Sequence, residues 1–303
     1  MIIKESGGTA ARDPFVTYLN GSYYHCYTYE DEIYVARAKT VEGLRDAIGV
    51  KVYSPEPNMP YSKKLWAPEL HVIDGKCYIY VACCDGANVN HRMYVLFNDS
   101  VDPQKPYCNH GKISDTTDKW AIDGTILEWE QKRYFLWSGW EGDTNVAQMI
   151  YIAQMQDPFT LCSERVCLAA PEYPWEKLGS GGPKNLPTIN EGPCVLRKGK
   201  KLYILYSAAG SWCDDYCLGM LELVGENVMD PNAWSKYPEP IFTKTETVKG
   251  PGHCSVITDT PDGDWLFFHA FDESAQGGWN SAHASGQKFT WNGDHPAFGQ
   301  PEV

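Results

Sequence analysis

The sequence predicts an all-β chain folded as a five-bladed β-propeller. Three observations carry that expectation: helical periodicity is scarce, turn residues recur throughout, and an aromatic strand pattern repeats five times. The most helix-like stretch is the short "TVEGLRDAI", while 27 Gly and 20 Pro punctuate the remainder. The repeats read "NGSYYHCYTY" from Asn20, "DGKCYIYVACC" from Asp74, "EQKRYFLWSGW" from Glu130, "KGKKLYILYSAAG" from Lys198 and "DGDWLFFHAF" from Asp262. They start about 54 to 68 residues apart. Asn-Gly and Asp-Gly are the residues that a tight hairpin turn demands, and the alternation after them suits a half-packed strand. A unit of roughly 60 residues holds a four-stranded sheet with its loops, so five units fill residues 1–303 as a single domain. A β-sandwich is the competing all-β solution, but it needs no fivefold repeat at this spacing.

Each hairpin is preceded by a short first strand, which in a propeller lines the central channel. Its opening residues are "RDPFV" with Asp13, "WAPELHV" with Ala67 and Glu69, "AIDGTIL" with Asp123, "INEGPCV" with Glu191 and "GPGHCSV" with His253. Four of these five strands place an ionisable residue in what reads as an equivalent slot, and Glu69 lies two residues beyond Ala67 on the same face. A fivefold arrangement gathers these groups at one axial end. Acids crowded in a partly desolvated pocket have their proton affinities driven apart, as a general base and a general acid require. The residue types also have quieter uses: Asp before Pro caps turns, as expected of Asp102, Asp157 and Asp230, and a lone His is commonly a hydrogen-bonded structural group.

Trp66 precedes the second slot, Trp137 and Trp140 follow the third hairpin, and Trp212 follows the fourth. Flat aromatic faces beside acids suit sugar rings, so Trp66, Trp140 and Trp212 are the candidate substrate-binding residues. Some of these indoles are expected to fill space between blades instead. The segment "PEYPWEKLGSGGPKNLPT", residues 171–188, is a candidate rim for the pocket or else a plain connection.

Composition limits the partners. A formal net charge of -13 without basic runs excludes a phosphate-backbone partner, so no nucleic acid is expected. No apolar window is long enough for a membrane helix, and the opening "MIIKESGGTAARDPF" lacks the regions of a secretory signal. The eleven cysteines form no paired C-x-x-C elements and read as small reduced core residues. These features together predict a cytoplasmic protein with no membrane partner, or a secreted one if a signal has been trimmed from the sequence.

The five strand-opening motifs, in order along nearly the whole chain, resemble those of glycoside hydrolase family 43, which comprises five-bladed propeller arabinofuranosidases, xylosidases and arabinanases. The resemblance implies an inverting mechanism with Asp13 as general base, Asp123 as the residue that orients and tunes the acid, and Glu191 as general acid. It also implies a metal ion, commonly calcium, in the channel near His253, although a single imidazole is poor support for a hard cation. No organic cofactor is implied. The implied activity is removal of terminal α-L-arabinofuranosyl residues from plant oligo- or polysaccharides such as arabinan or arabinoxylan. The alternatives are a β-D-xylosidase or endo-arabinanase of the same family and, from another class, a non-catalytic carbohydrate-binding propeller.

Overall fold

A computed structural model describes residues 1–3, 12–271, 274 and 281–302. The described chain is all-β, with strands β1 (Ile2–Ile3), β2 (Phe15–Leu19), β3 (Ser22–Tyr29), β4 (Glu32–Ala38), β5 (Val50–Tyr53), β6 (Lys63–Ile73), β7 (Lys76–Cys84), β8 (Arg92–Asn98) and β9 (Cys108–Ile113) in its first part. There follow β10 (Ala121–Trp129), β11 (Lys132–Gly139), β12 (Ala147–Asp157), β13 (Thr160–Leu161), β14 (Val166–Ala169), β15 (Thr188–Lys198), β16 (Lys201–Ala208), β17 (Cys217–Leu223) and β18 (Trp234–Lys236). The last are β19 (Lys249–Thr260), β20 (Gly263–Phe271), β21 (Ala282–Lys288), β22 (Thr290–Asn292) and β23 (His295–Ala297). The helix-like stretch of the sequence is one short 3-10 turn, Glu42–Asp46.

These strands form repeated antiparallel meanders: β2 to β5, β6 to β9, β10, β11, β12 and β14, β15 to β18, and β19 to β21. The third and fourth meanders join into one nine-stranded sheet through a short parallel pairing, Ala147 with Thr188 and Gln148 with Ile189. The last meander takes its fourth strand from the chain start, where β1 pairs Ile2 with Ser285 and Ile3 with Ala284. Among the described residues, no sheet closes on itself.

All five predicted hairpins are present, each joining the first two strands of a meander. Asn20-Gly21 and Asp74-Gly75 hold both turn residues at positive φ, the mirror-image turn that matches strand twist. Glu130 and Gln131 adopt the same conformation without a glycine.

The core lies between the meanders. Tyr24 and Cys26 of the first pack with Leu70 and Ile79 of the second. Tyr80 and Val95 of the second pack with Phe135 and Tyr151 of the third. Leu136 and Ile152 meet Ile204 and Leu221 of the fourth, and Leu205 and Leu218 meet Leu266 and Phe268 of the fifth. Phe267 and Trp265 of the fifth then pack with Val16 and Tyr23 of the first, which completes a cycle. The predicted core role of cysteine is observed: all eleven are unpaired, and seven are buried.

Candidate active site

The first strands of the second to fifth meanders break register near their starts. Shifts fall between Trp66 and Glu69, Ile122 and Thr125, Glu191 and Cys194, and Gly252 and Ser255. At these bulges Ala67, Asp123 and His253 have positive φ, as does Asp13 just before β2. A bulge re-aims side chains out of the pleat, here towards the mouth of a cavity of about 690 Å³.

The pairing register corrects one expectation. In the fourth meander the positive-φ position is Gly192, so Glu191 stands one residue before the slot that Asp123 and His253 occupy. The two acids still meet. The Gly192 N–H donates to Asp123 Oδ2 at 2.9 Å, which ties that carboxylate to the residue adjoining Glu191. Glu69 departs further from expectation: it is bound by His71 at 2.8 Å and does not line the cavity.

Asp13, Asp123, Glu191, Trp66, Trp212 and His253 all line this one cavity. Trp140 does not. It is stacked at 4.7 Å on Trp120, both indoles are 3% exposed, and Trp120 lines the cavity instead. Sequence position alone could not separate two indoles that pack face to face. The segment 171–188 does reach the cavity, through Leu186 and Pro187, and Trp212 is fixed to it by an Nε1–H bond to the Gly179 carbonyl at 2.8 Å.

Asp13 is no simple turn former. Asp102, Asp157 and Asp230 each accept from the backbone N–H two residues on, as expected of Asp-Pro turns. The Asp13 Oδ1 atom instead meets His269 Nδ1 at 3.0 Å and His253 Nδ1 at 3.3 Å. Burial pushes its carboxyl up, but His253, the hydrogen bond from His269 and the Arg12 guanidinium outweigh burial and leave it well below the ordinary carboxylate range. Glu191 moves the other way. Burial, then repulsion from Asp123, raise it far more than His253 and the Tyr216 hydroxyl lower it. Burial likewise raises Asp123, with Asp13 adding to the rise. The cavity therefore holds one carboxyl that is reluctant to take a proton and another that is reluctant to lose one.

Arg12, Trp120, Tyr216 and His269 were missed in the sequence. Arg12 adjoins Asp13 and Trp120 lies in the same strand-opening segment as Asp123, so both had a positional signal. Tyr216 and His269 had none: His269 lies on β20 and Tyr216 in the connection just before β17, and the burial of both is invisible in a single sequence.

Among the described residues, the side chains around His253 form no cage for calcium. The imidazole Nδ1 faces Asp13, and among the described residues no group of three or more His, Cys, Asp or Glu side chains gathers as a metal site. No step below is routed through an ion.

A cleft that pairs a low-affinity and a high-affinity carboxyl among indole faces suits acid–base glycoside cleavage. Residues 8–296 match the family model "Glycosyl hydrolases family 43", and the chain belongs to that family. It is a glycosidase. It is 33% identical over 267 residues to an extracellular exo-alpha-(1->5)-L-arabinofuranosidase of Streptomyces chartreusis, covering 85% of this chain and 79% of the relative. A second extracellular exo-alpha-(1->5)-L-arabinofuranosidase, of Streptomyces avermitilis, is 29% identical across 95% of this chain, which spans 61% of that relative. The crystal structure of an alpha-L-arabinofuranosidase from Lactobacillus brevis superposes with a TM-score of 0.88 at 32% identity, covering 96% of this chain and 94% of that one. Both Streptomyces relatives are described as extracellular, which overturns the cytoplasmic placement. Among the described residues, no helix is long and apolar enough to cross a membrane.

Proposed function

We propose that the protein is an inverting, exo-acting α-L-arabinofuranosidase that removes terminal arabinofuranosyl residues from plant saccharides such as arabinan and arabinoxylan. The reading includes a five-bladed propeller serving as one catalytic domain, with the five meanders as blades around the cavity. The cyclic packing of the cores supports that arrangement, and the activities for which the Streptomyces and Lactobacillus relatives are named support the sugar.

The opposed proton affinities of Asp13 and Glu191 carry the mechanism. Asp13, held ionised by His253, His269 and Arg12, takes a proton from water as the water oxygen bonds to the anomeric carbon. Glu191, held protonated by burial and by Asp123, donates to the departing oxygen, which keeps the electron pair of the broken bond. One water is consumed, configuration inverts, and both carboxyls exchange protons with solvent to reset. Asp123, anchored by the Gly192 N–H, orients this exchange without entering it.

The reading is tested by hydrolysis of 4-nitrophenyl α-L-arabinofuranoside beside 4-nitrophenyl β-D-xylopyranoside, using wild type and Asp13→Asn. Turnover of the arabinoside that falls by about a hundredfold or more in the variant is the expected result. Preference for the xyloside rejects the sugar assignment, and undiminished turnover by Asp13→Asn removes that residue as base.

A further inference from the structure

Tyr216 is completely buried, and its hydroxyl donates to Glu191 Oε1 at 2.8 Å. Its ring lies nearly parallel to the His269 imidazole, 10° between planes with centroids 5.3 Å apart. The Nδ1 of that imidazole binds Asp13 Oδ1. One aromatic stack therefore spans the two carboxyls of opposite role.

The strand-opening motif of the fifth meander makes room for it. A Cβ on Gly252 would come within 2.2 Å of Tyr216 Cε1, closer than any side chain can sit, so the Gly of "GPGHCSV" admits the phenol. Tyr216 arrives from the connection between β16 and β17, four residues after the cavity-lining Trp212.

We propose that Tyr216 is a positioning residue for Glu191: its hydroxyl occupies Oε1, so the transferable proton is carried on Oε2, and its ring ties the acid to the His269 that holds Asp13. This rests on Glu191 being the general acid. A carboxylic acid has one proton, and an oxygen that already accepts from a buried phenol is the poorer place for it. Fixing which oxygen carries the proton also fixes the direction of its transfer, which a buried, freely turning carboxyl would not do.

The test compares Tyr216→Phe with wild type on α-1,5-L-arabinobiose, whose sugar leaving group needs protonation, and on the activated 4-nitrophenyl arabinofuranoside. Loss of one hydrogen bond to a titrating group is expected to lower kcat on the disaccharide about ten- to a hundredfold, with little change for the nitrophenyl substrate and in KM. The alkaline limb of the rate profile should move up, because the anion loses a donor while Asp123, Asp13, His253 and Arg12 still face Glu191. Equal losses on both substrates, or no loss on either, overturn the proposal. Should the Phe variant fail to fold, 3-fluorotyrosine at position 216 keeps the packing and strengthens the donor. It should move the alkaline limb down, and an unmoved limb overturns the proposal. If Glu191→Gln retains full turnover of the disaccharide, the acid assignment fails; if that variant is impaired and position 216 has no effect, only the role of Tyr216 falls.

Discussion

Side-chain environment, rather than side-chain identity, separates the acids of this site. Asp13 and Glu191 both line one cavity, yet imidazole and guanidinium neighbours draw one down while burial and Asp123 lift the other. With Asp13 as the proposed base and Glu191 as the proposed acid, activity needs the first ionised and the second protonated at once, so the rate should fall in acid through the depressed Asp13 value and in alkali through the raised Glu191 value. The two shifts move these limits apart and widen the active window on both sides. Glu191→Gln cannot donate a proton, so it should lose the alkaline limb and at least about a hundredfold of activity on unactivated glycosides, while activated phenolic glycosides are largely spared. Leaving-group rates measured across pH check this; a retained alkaline limb in the variant would assign that limb to another group.

Hairpins and bulges are the elements that place these residues, and they were unequally legible. The hairpins were plain, because Asn20-Gly21 and Asp74-Gly75 announce a turn that few other pairs tolerate. Glu130-Gln131 was read as a hairpin from the aromatic strand that follows it, and the structure shows its cost: two side-chain-bearing residues in the left-handed region. Gln131→Gly should therefore stabilise the fold by about 1 kcal/mol, measured as a higher midpoint of denaturant unfolding, and a lower midpoint would show that the turn is not strained. The bulges were not legible. A bulge adds a residue without changing composition, which is why Glu191 read as aligned with Asp123 when Gly192 is its true counterpart. The same limit hid the exchange of Trp120 for Trp140, since which of two stacked, equally buried indoles lines the cavity leaves no mark on the local pattern.

Across the whole molecule, the β1 strand closes the last meander from the chain start, and the core runs from each meander to the next and back to the first. That continuity explains how Asp13 and His253, far apart in sequence, come within 3.3 Å. Cysteine usage misled about location. Free, mostly buried thiols behave as packing groups shielded from oxidants, so their number says little about the compartment. The central claim is that water attacks directly, with Asp13 as base and Glu191 as acid, and that no sugar becomes attached to the protein. It is tested most directly by following the anomeric signals of arabinose in the first moments of arabinofuranoside hydrolysis by proton magnetic resonance. The account predicts that the β-anomer appears first and the α-anomer only later, by mutarotation; initial release of the α-anomer would contradict it.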